Sequence, residues 1–160
     1  MATLIGAGSH ATDIAHTYLF DHHVPHHTQY EHDGNLVVIG INNPWERARI
    51  STELAVDDTP WIHPVSHIGP ETTWGTGTHV NYGVSMTRTQ IGRHCTISPG
   101  VTICGDVIIG DRVLIGAGAT ICDRVIIHND VTIGAGTVIL PITEIPEKTV
   151  WAGVPAKQIR

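Results

Sequence analysis

A β-branched aliphatic returns at every sixth residue over the second half of this 160-residue chain: Ile91, Ile97, Ile103, Ile109, Ile115, Ile121, Ile127, Ile133, Ile139. Upstream the beat runs through Ile62, Ile68, Trp74, Val80 and Met86, and between Met86 and Ile91, in "GVSMTRTQIG", it drops one residue. Small or β-branched residues recur four places after the aliphatic, as at Val84, Cys95, Val101, Val107, Val113, Ala119, Val125 and Val131. Neither the period of a helix nor the alternation of an ordinary strand gives this pattern. A parallel β-helix of hexapeptides does, each unit making one short strand and one corner, with three units closing a triangular coil of about 18 residues. Residues one coil apart then stack at the spacing of neighbouring strands. That register sets Asp106 over Arg124, Arg112 over Asp130 and Arg93 over Asp111, three pairs of opposite charge. It also stacks Cys104 on Cys122, near disulfide range, where a reduced pair is the reading preferred.

Residues 1–58 have a different rhythm and read as a small α/β unit. "TLIGAG" is a short strand entering a glycine turn, and "SHATDIAHTYLF" continues as a helix with Ser9 as its N-cap. "NLVVIGI" is a buried strand, and "NPWERARISTEL" a second helix with Asn43 as N-cap, Pro44 at the first position and Glu46 completing a capping box. Strand, helix, strand, helix implies parallel strands joined by a crossover. The β-helix is expected over 59–140, and "PITEIPEKTVWAGVPAKQIR" at 141–160 is expected to cap its last coil.

Composition narrows the partners. The formal net charge is −6 and the lysines are two, Lys148 and Lys157, so no basic surface is available for sequence-independent nucleic-acid binding. The N-terminus lacks the cationic start of a signal peptide, no stretch is long and apolar enough to span a membrane, and three cysteines make no disulfide framework. A cytoplasmic protein is the expectation.

The repeats, the ending "VWAGVPAKQIR" and the leading "LIGAGSH" together resemble the left-handed β-helix acyltransferases, specifically the sialic-acid and bacillosamine-type sugar acetyltransferases. The resemblance implies a homotrimer that binds acetyl-CoA in the groove between neighbouring β-helices, with a nucleotide-linked amino sugar held by the N-terminal unit. It places Gly8, Ser9, His10 and Gly40 at the substrate, Gly105, Ala117 and Ala135 along the pantetheine arm, and Pro155 and Lys157 at the nucleotide end of CoA. No metal is implied.

Acetyl transfer to an amine needs a base for the amine proton and donors for the tetrahedral oxyanion. The family keeps a histidine for the proton, in a coil introduced by an Asn-x-Gly segment. Here Asn81 and Gly83 supply that segment, but the histidine position falls on Arg88, in the shortened unit, and a second family histidine falls on Thr96. Arginine accepts no proton at working pH. Three explanations stay open. His94 or His79, in the units flanking the break, replaces the base; or the acceptor amine is already neutral and Arg88 binds its carboxylate or phosphate; or the chain is a catalytically silent binding or scaffold β-helix. Acyl transfer to another amine or to a hydroxyl is the alternative within enzymes. The histidines of "DHHVPHHTQYEHD" read as a polar connection rather than a metal site, and His63, His67, His79 and His94 share no register, against a metal hydratase.

Overall fold

The computed structural model describes residues 3–5, 37–39, 41–55 and 58–160; the expected first helix and the histidine-rich "DHHVPHHTQYEHD" lie outside the described residues. Strands β1 (Thr3–Ile5) and β2 (Val37–Ile39) pair in parallel, Thr3 opposite Val37, as a crossover connection requires. Helix α1 (Pro44–Leu54) starts where its cap residues place it. The Asn43 side chain accepts from the N–H groups of Trp45 (3.0 Å) and Glu46 (3.1 Å), and Pro44 fills the first turn without leaving a donor unmade. The capping box does not form: the Glu46 carboxylate instead pairs with Arg49 at 2.7 Å, one turn on along the exposed face.

From Trp61 the chain winds as a three-sided parallel coil. Trp61–Ile62, His79–Val80, Thr96–Ile97, Leu114–Ile115, Thr132–Ile133 and Val150–Ala152 stack into one sheet. Strands at 67–68, 85–86, 102–103, 120–121 and 138–139 form the second, and those at 73–74, 89–91, 107–109, 126–127 and 144–145 the third. The six-residue aliphatics point inward from all three, so Ile97, Ile103, Ile109, Ile115, Ile121, Ile127, Ile133 and Ile139 are buried, and the residues four places on, among them Cys95, Val101 and Val113, fill the space between them. Each such isoleucine contributes about 1.5–3 kcal/mol by leaving water. Ile62, Ile68 and Trp74, in the first coil, are only half-buried, having neighbours on one side.

The break in the beat is absorbed at one corner. Two residues, Thr87 and Arg88, carry the chain from Met86 to the strand at 89–91, where three, Cys104, Gly105 and Asp106, carry it from Ile103 to the strand at 107–109. Strand partners across this coil are therefore seventeen positions apart, as Met86 with Ile103 and Trp74 with Ile91, while later ones are eighteen apart, as Ile103 with Ile121. Met86 and Ile91 both stay in the core.

The coil continues past the expected boundary at 140. Glu144–Ile145 and Val150–Ala152 pair in parallel with the coil before them, Ile145 is buried, and only the strand Lys157–Gln158 turns back antiparallel to cover the edge at Trp151 and Ala152. Almost every corner holds one residue in the left-handed conformation. Glycine takes it along one edge of the coil (Gly83, Gly100, Gly118, Gly136, φ +64 to +68), and mostly polar residues take it along the others, including Arg88, Asp106 and Arg124 on one and His94, Arg112 and Asp130 on the next, with Gly77 and Ile142 as exceptions. Arg112–Asp130 (2.7 Å) and Arg93–Asp111 (3.0 Å) pair as expected, but Asp106 bonds down to Arg88 (2.9 Å) rather than up to Arg124. Among the described residues no helix is long and apolar enough to cross a membrane.

Candidate functional site

One arginine of the α/β unit is buried against the coil. Arg47 lies on α1, wholly buried, and its guanidinium donates to Gly77 O (Nε, 2.7 Å), His94 O (Nη2, 3.0 Å), Cys95 O (2.8 Å), the Thr96 hydroxyl (3.0 Å) and Ile41 O. Burial lowers its pKa to about 10, against the pull of Asp58, so it remains a cation at neutral pH. Asp58, also wholly buried, stands 3.7 Å from Arg47 Nε and accepts the Ile39 amide at 2.9 Å, tying β2 to the same junction. Thr96 in turn donates to Asn42 O at 2.8 Å, and Trp45 Nε1 donates to Asp130 at 3.1 Å.

His94 sits at this seam. Its ring occupies the left-handed corner (φ +54) directly over Gly77, where an added Cβ would collide with the imidazole and with Asp58. Nδ1 is buried and faces the Asp58 carboxylate at 3.8 Å, beyond a direct hydrogen bond, and the side chain keeps 14% of its surface exposed. Burial, then the positive charges of Arg47 and Arg93, push the imidazole pKa below its ordinary 6.5, with Asp111 opposing and Arg112 adding to the shift. The imidazole is thus unprotonated at neutral pH with part of its surface exposed, free to accept a proton but with its basicity reduced.

The other candidates fall elsewhere. Arg88 stands at a different corner, its guanidinium laid over Gly105, where a Cβ would strike Nη2, and bonded to Asp106; that bond holds it more firmly protonated. The structure thus brings Arg88 and Gly105 together. Ala117 and Ala135 stack one coil apart beside the glycines of the third corner, both exposed, and an added Cβ at Gly118 or Gly136 would meet open space. His79 is buried against the Trp61 ring at 6.0 Å, Asn81 donates to Ile97 O at 3.1 Å, and Thr96 is buried in the Arg47 junction, so these three are held within the fold. Pro155 and Lys157 are exposed in the C-terminal strand region. Gly8, Ser9, His10 and Gly40 lie outside the described residues. Sequence reasoning missed Arg47 and Asp58; the signal available was an acid immediately ahead of the first coil strand. Among the described residues no group of three or more His, Cys, Asp or Glu converges as a metal site.

The family model described as bacterial transferase hexapeptide (six repeats) matches residues 88–123 and again 106–141. Residues 88–141 are bacterial transferase hexapeptide repeats. The coil they belong to is a left-handed β-helix. The bifunctional protein GlmU of Mycobacterium leprae is 36% identical to this chain over 90 residues, half of this chain but only 18% of that protein. Among solved structures, the acetyltransferase domain of PglB from Neisseria gonorrhoeae covers 99% of this chain and 98% of its own at 20% identity, with a TM-score of 0.71. PerB from Caulobacter crescentus, in complex with CoA and GDP-perosamine, covers 99% and 97% at 21% identity and a TM-score of 0.71. WeeI from Acinetobacter baumannii covers 99% of both at 17% identity and 0.70. At these identities the likeness is one of fold, and it takes in the α/β unit as well as the hexapeptide coil.

Proposed function

We propose that this chain is an acyl-CoA-dependent acyltransferase that moves an acetyl group from acetyl-CoA to the amine of a nucleotide-linked amino sugar, acting as a homotrimer. The observation that carries the chemistry is His94, kept unprotonated beside the buried Asp58 where the α/β unit meets the coil. In this reading the amine nitrogen attacks the thioester carbonyl while His94 takes the amine proton. The CoA thiolate leaves and is protonated from His94. The open corner at Ala117 and Ala135 suits a flat pantetheine arm, Gly105 lies at its neighbour, and Lys157 is a cation available to the CoA phosphates. Likeness of fold to PerB, whose structure holds CoA and GDP-perosamine, and to the PglB domain in complex with acetyl coenzyme A supports this choice of substrates.

Release of free thiol from acetyl-CoA is the test, measured across a panel of nucleotide amino sugars, simple amines and sugar hydroxyls. Turnover with an amino-sugar nucleotide that falls about 10²–10⁴-fold in His94→Ala is the expected result. Turnover unchanged in that variant removes His94 as the base. Acetyl-CoA binding without thiol release on any acceptor removes the transferase reading and leaves a binding module, which the commitment of Arg88 to Asp106 would then fit.

A further inference from the structure

We propose that Arg93 receives the diphosphate of the acceptor, seating a nucleoside diphosphate beside His94. The inference rests on the reading of His94 as the group that meets the acceptor amine. Arg93 and His94 are consecutive at one corner of the coil, and both side chains fold down onto the coil below. The Arg93 stem lies across Gly75, where an added Cβ would stand 2.7 Å from Cγ, and the His94 ring lies over Gly77. Those two glycines are two residues apart, at most about 7 Å of extended chain, so stem and imidazole leave the coil side by side. An amino sugar that carries its amine on one ring carbon and its diphosphate on the anomeric carbon spans a gap of that size.

The guanidinium is held from one edge only. Asp111, one rung above, accepts the Arg93 backbone N–H with one oxygen at 2.8 Å and takes Nη2 at 3.0 Å and Nε at 3.4 Å with the other. The Asp111 N–H in turn donates to Asn129 Oδ1 at 2.8 Å, so the corner above fixes the carboxylate that fixes the arginine. Nη1 has no partner among the described residues, and the Arg93 side chain is 64% exposed. A fork already ordered on one edge and open on the other matches phosphate oxygens at little entropic cost.

The neighbouring arginines have no such edge to offer. Arg47 is enclosed among five acceptors, and Arg112 gives Nε (2.7 Å) and Nη2 (2.9 Å) to Asp130. Arg49 is spent between Glu46 and Glu53 on the outer face of α1. With a net charge of −6 the chain repels a diphosphate at long range, so its capture needs a local cation of this kind. Occupancy also acts on the base. Burial, Arg47 and Arg93 together depress the basicity of His94, with Arg112 adding to them and Asp111 opposing. A phosphate against Arg93 offsets its share, so the nucleotide end of the acceptor strengthens the base that its amine end uses.

The test is calorimetric titration of the whole chain with UDP, with GDP and separately with CoA, in the wild type, Arg93→Gln and Arg93→Lys. Arg93→Gln is expected to weaken nucleoside diphosphate binding about 10–100-fold, the worth of one or two charge-assisted bonds. Arg93→Lys should fall between, and CoA affinity and melting temperature should stay close to wild type. Unchanged nucleoside diphosphate affinity in Arg93→Gln overturns the proposal, and so does a wild type that binds neither UDP nor GDP. A loss that falls on CoA instead also overturns it and assigns Arg93 to the diphosphate of the donor. None of these titrations requires acyl transfer: Arg93-dependent binding of UDP or GDP, in a protein that releases no thiol from acetyl-CoA, removes the transferase reading and leaves this site standing.

Discussion

Replacing Arg47 by methionine removes the charge that fastens the α/β unit to the coil while keeping most of the volume. Five hydrogen bonds are lost, to Gly77 O, His94 O, Cys95 O, Ile41 O and the Thr96 hydroxyl, and Asp58 is left buried without its cation at 3.7 Å. Bonds to a charged donor contribute about 1.5–3 kcal/mol each, but the guanidinium was itself stripped of water on folding, which offsets a large part of their sum. Breaking one side of a buried ion pair costs about 3–5 kcal/mol net, and that is the figure to expect here. Because the coil is held by its own aliphatic columns, the loss should appear as release of the α/β unit rather than global unfolding. Hydrogen exchange followed by mass spectrometry reads this directly. The Ile39 amide, bonded to Asp58, and the α1 amides should lose two to four orders of magnitude of protection, at about 1.4 kcal/mol per order, while peptides spanning 97–139 keep theirs. Arg47→Lys, retaining the charge but not the fork, should fall between. Wild-type exchange at Ile39 in Arg47→Met would refute the assignment of the junction to this residue.

Three further outcomes follow from the same geometry. Acid should destabilise the protein in two steps. His94 has a folded pKa below 6.5, so the unfolded chain binds the extra proton and stability declines as pH falls from 6.5 toward the folded value. Asp130, lowered by its bond from Arg112, and Asp111, lowered by the bonds from Arg93 that outweigh its burial, hold stability that is intact above 3.8 and lost below it. Urea midpoints measured from pH 7 to pH 3 should show both steps, and His94→Ala should erase the first. Gly77→Ala drives a methyl into the His94 ring at a φ of +64, and should cost about 1–2 kcal/mol in denaturant unfolding and displace the imidazole. Ile115→Ala opens a void in a fully buried column and should cost about 2–5 kcal/mol in the same assay, with no effect at the seam.

The coil was legible because its signal repeats: one aliphatic every sixth residue fixes strand, corner and stacking together, and the missing residue in "GVSMTRTQIG" is where the structure turns a corner with two residues. The Asn43 cap was legible for the same local reason, whereas the partner of Glu46 was not, since Arg49 on the exposed face competes with the backbone N–H and wins. Asp106 has an arginine one coil away on either side, Arg88 and Arg124, and counting alone does not choose between them. Least legible was the seam. Arg47 reads as one more charge on a polar helix, and its acceptors at Gly77, His94, Cys95 and Thr96 lie thirty or more residues away, beyond any local pattern.

The two-residue corner at Thr87 and Arg88 is a local shortening that the coil does not pass on. Trp74 still pairs with Ile91, so His94, the third residue after Ile91, stands over Gly77, the third after Trp74. The aliphatic columns do not register the change, since Val80 still meets Ile97 and Met86 still meets Ile103. Adding or removing a single residue at a corner therefore changes that corner alone, while the side chains presented to the core and to the docked unit keep their places. A fold built this way can vary the length and chemistry of one corner at a time, with no compensating change in its interior.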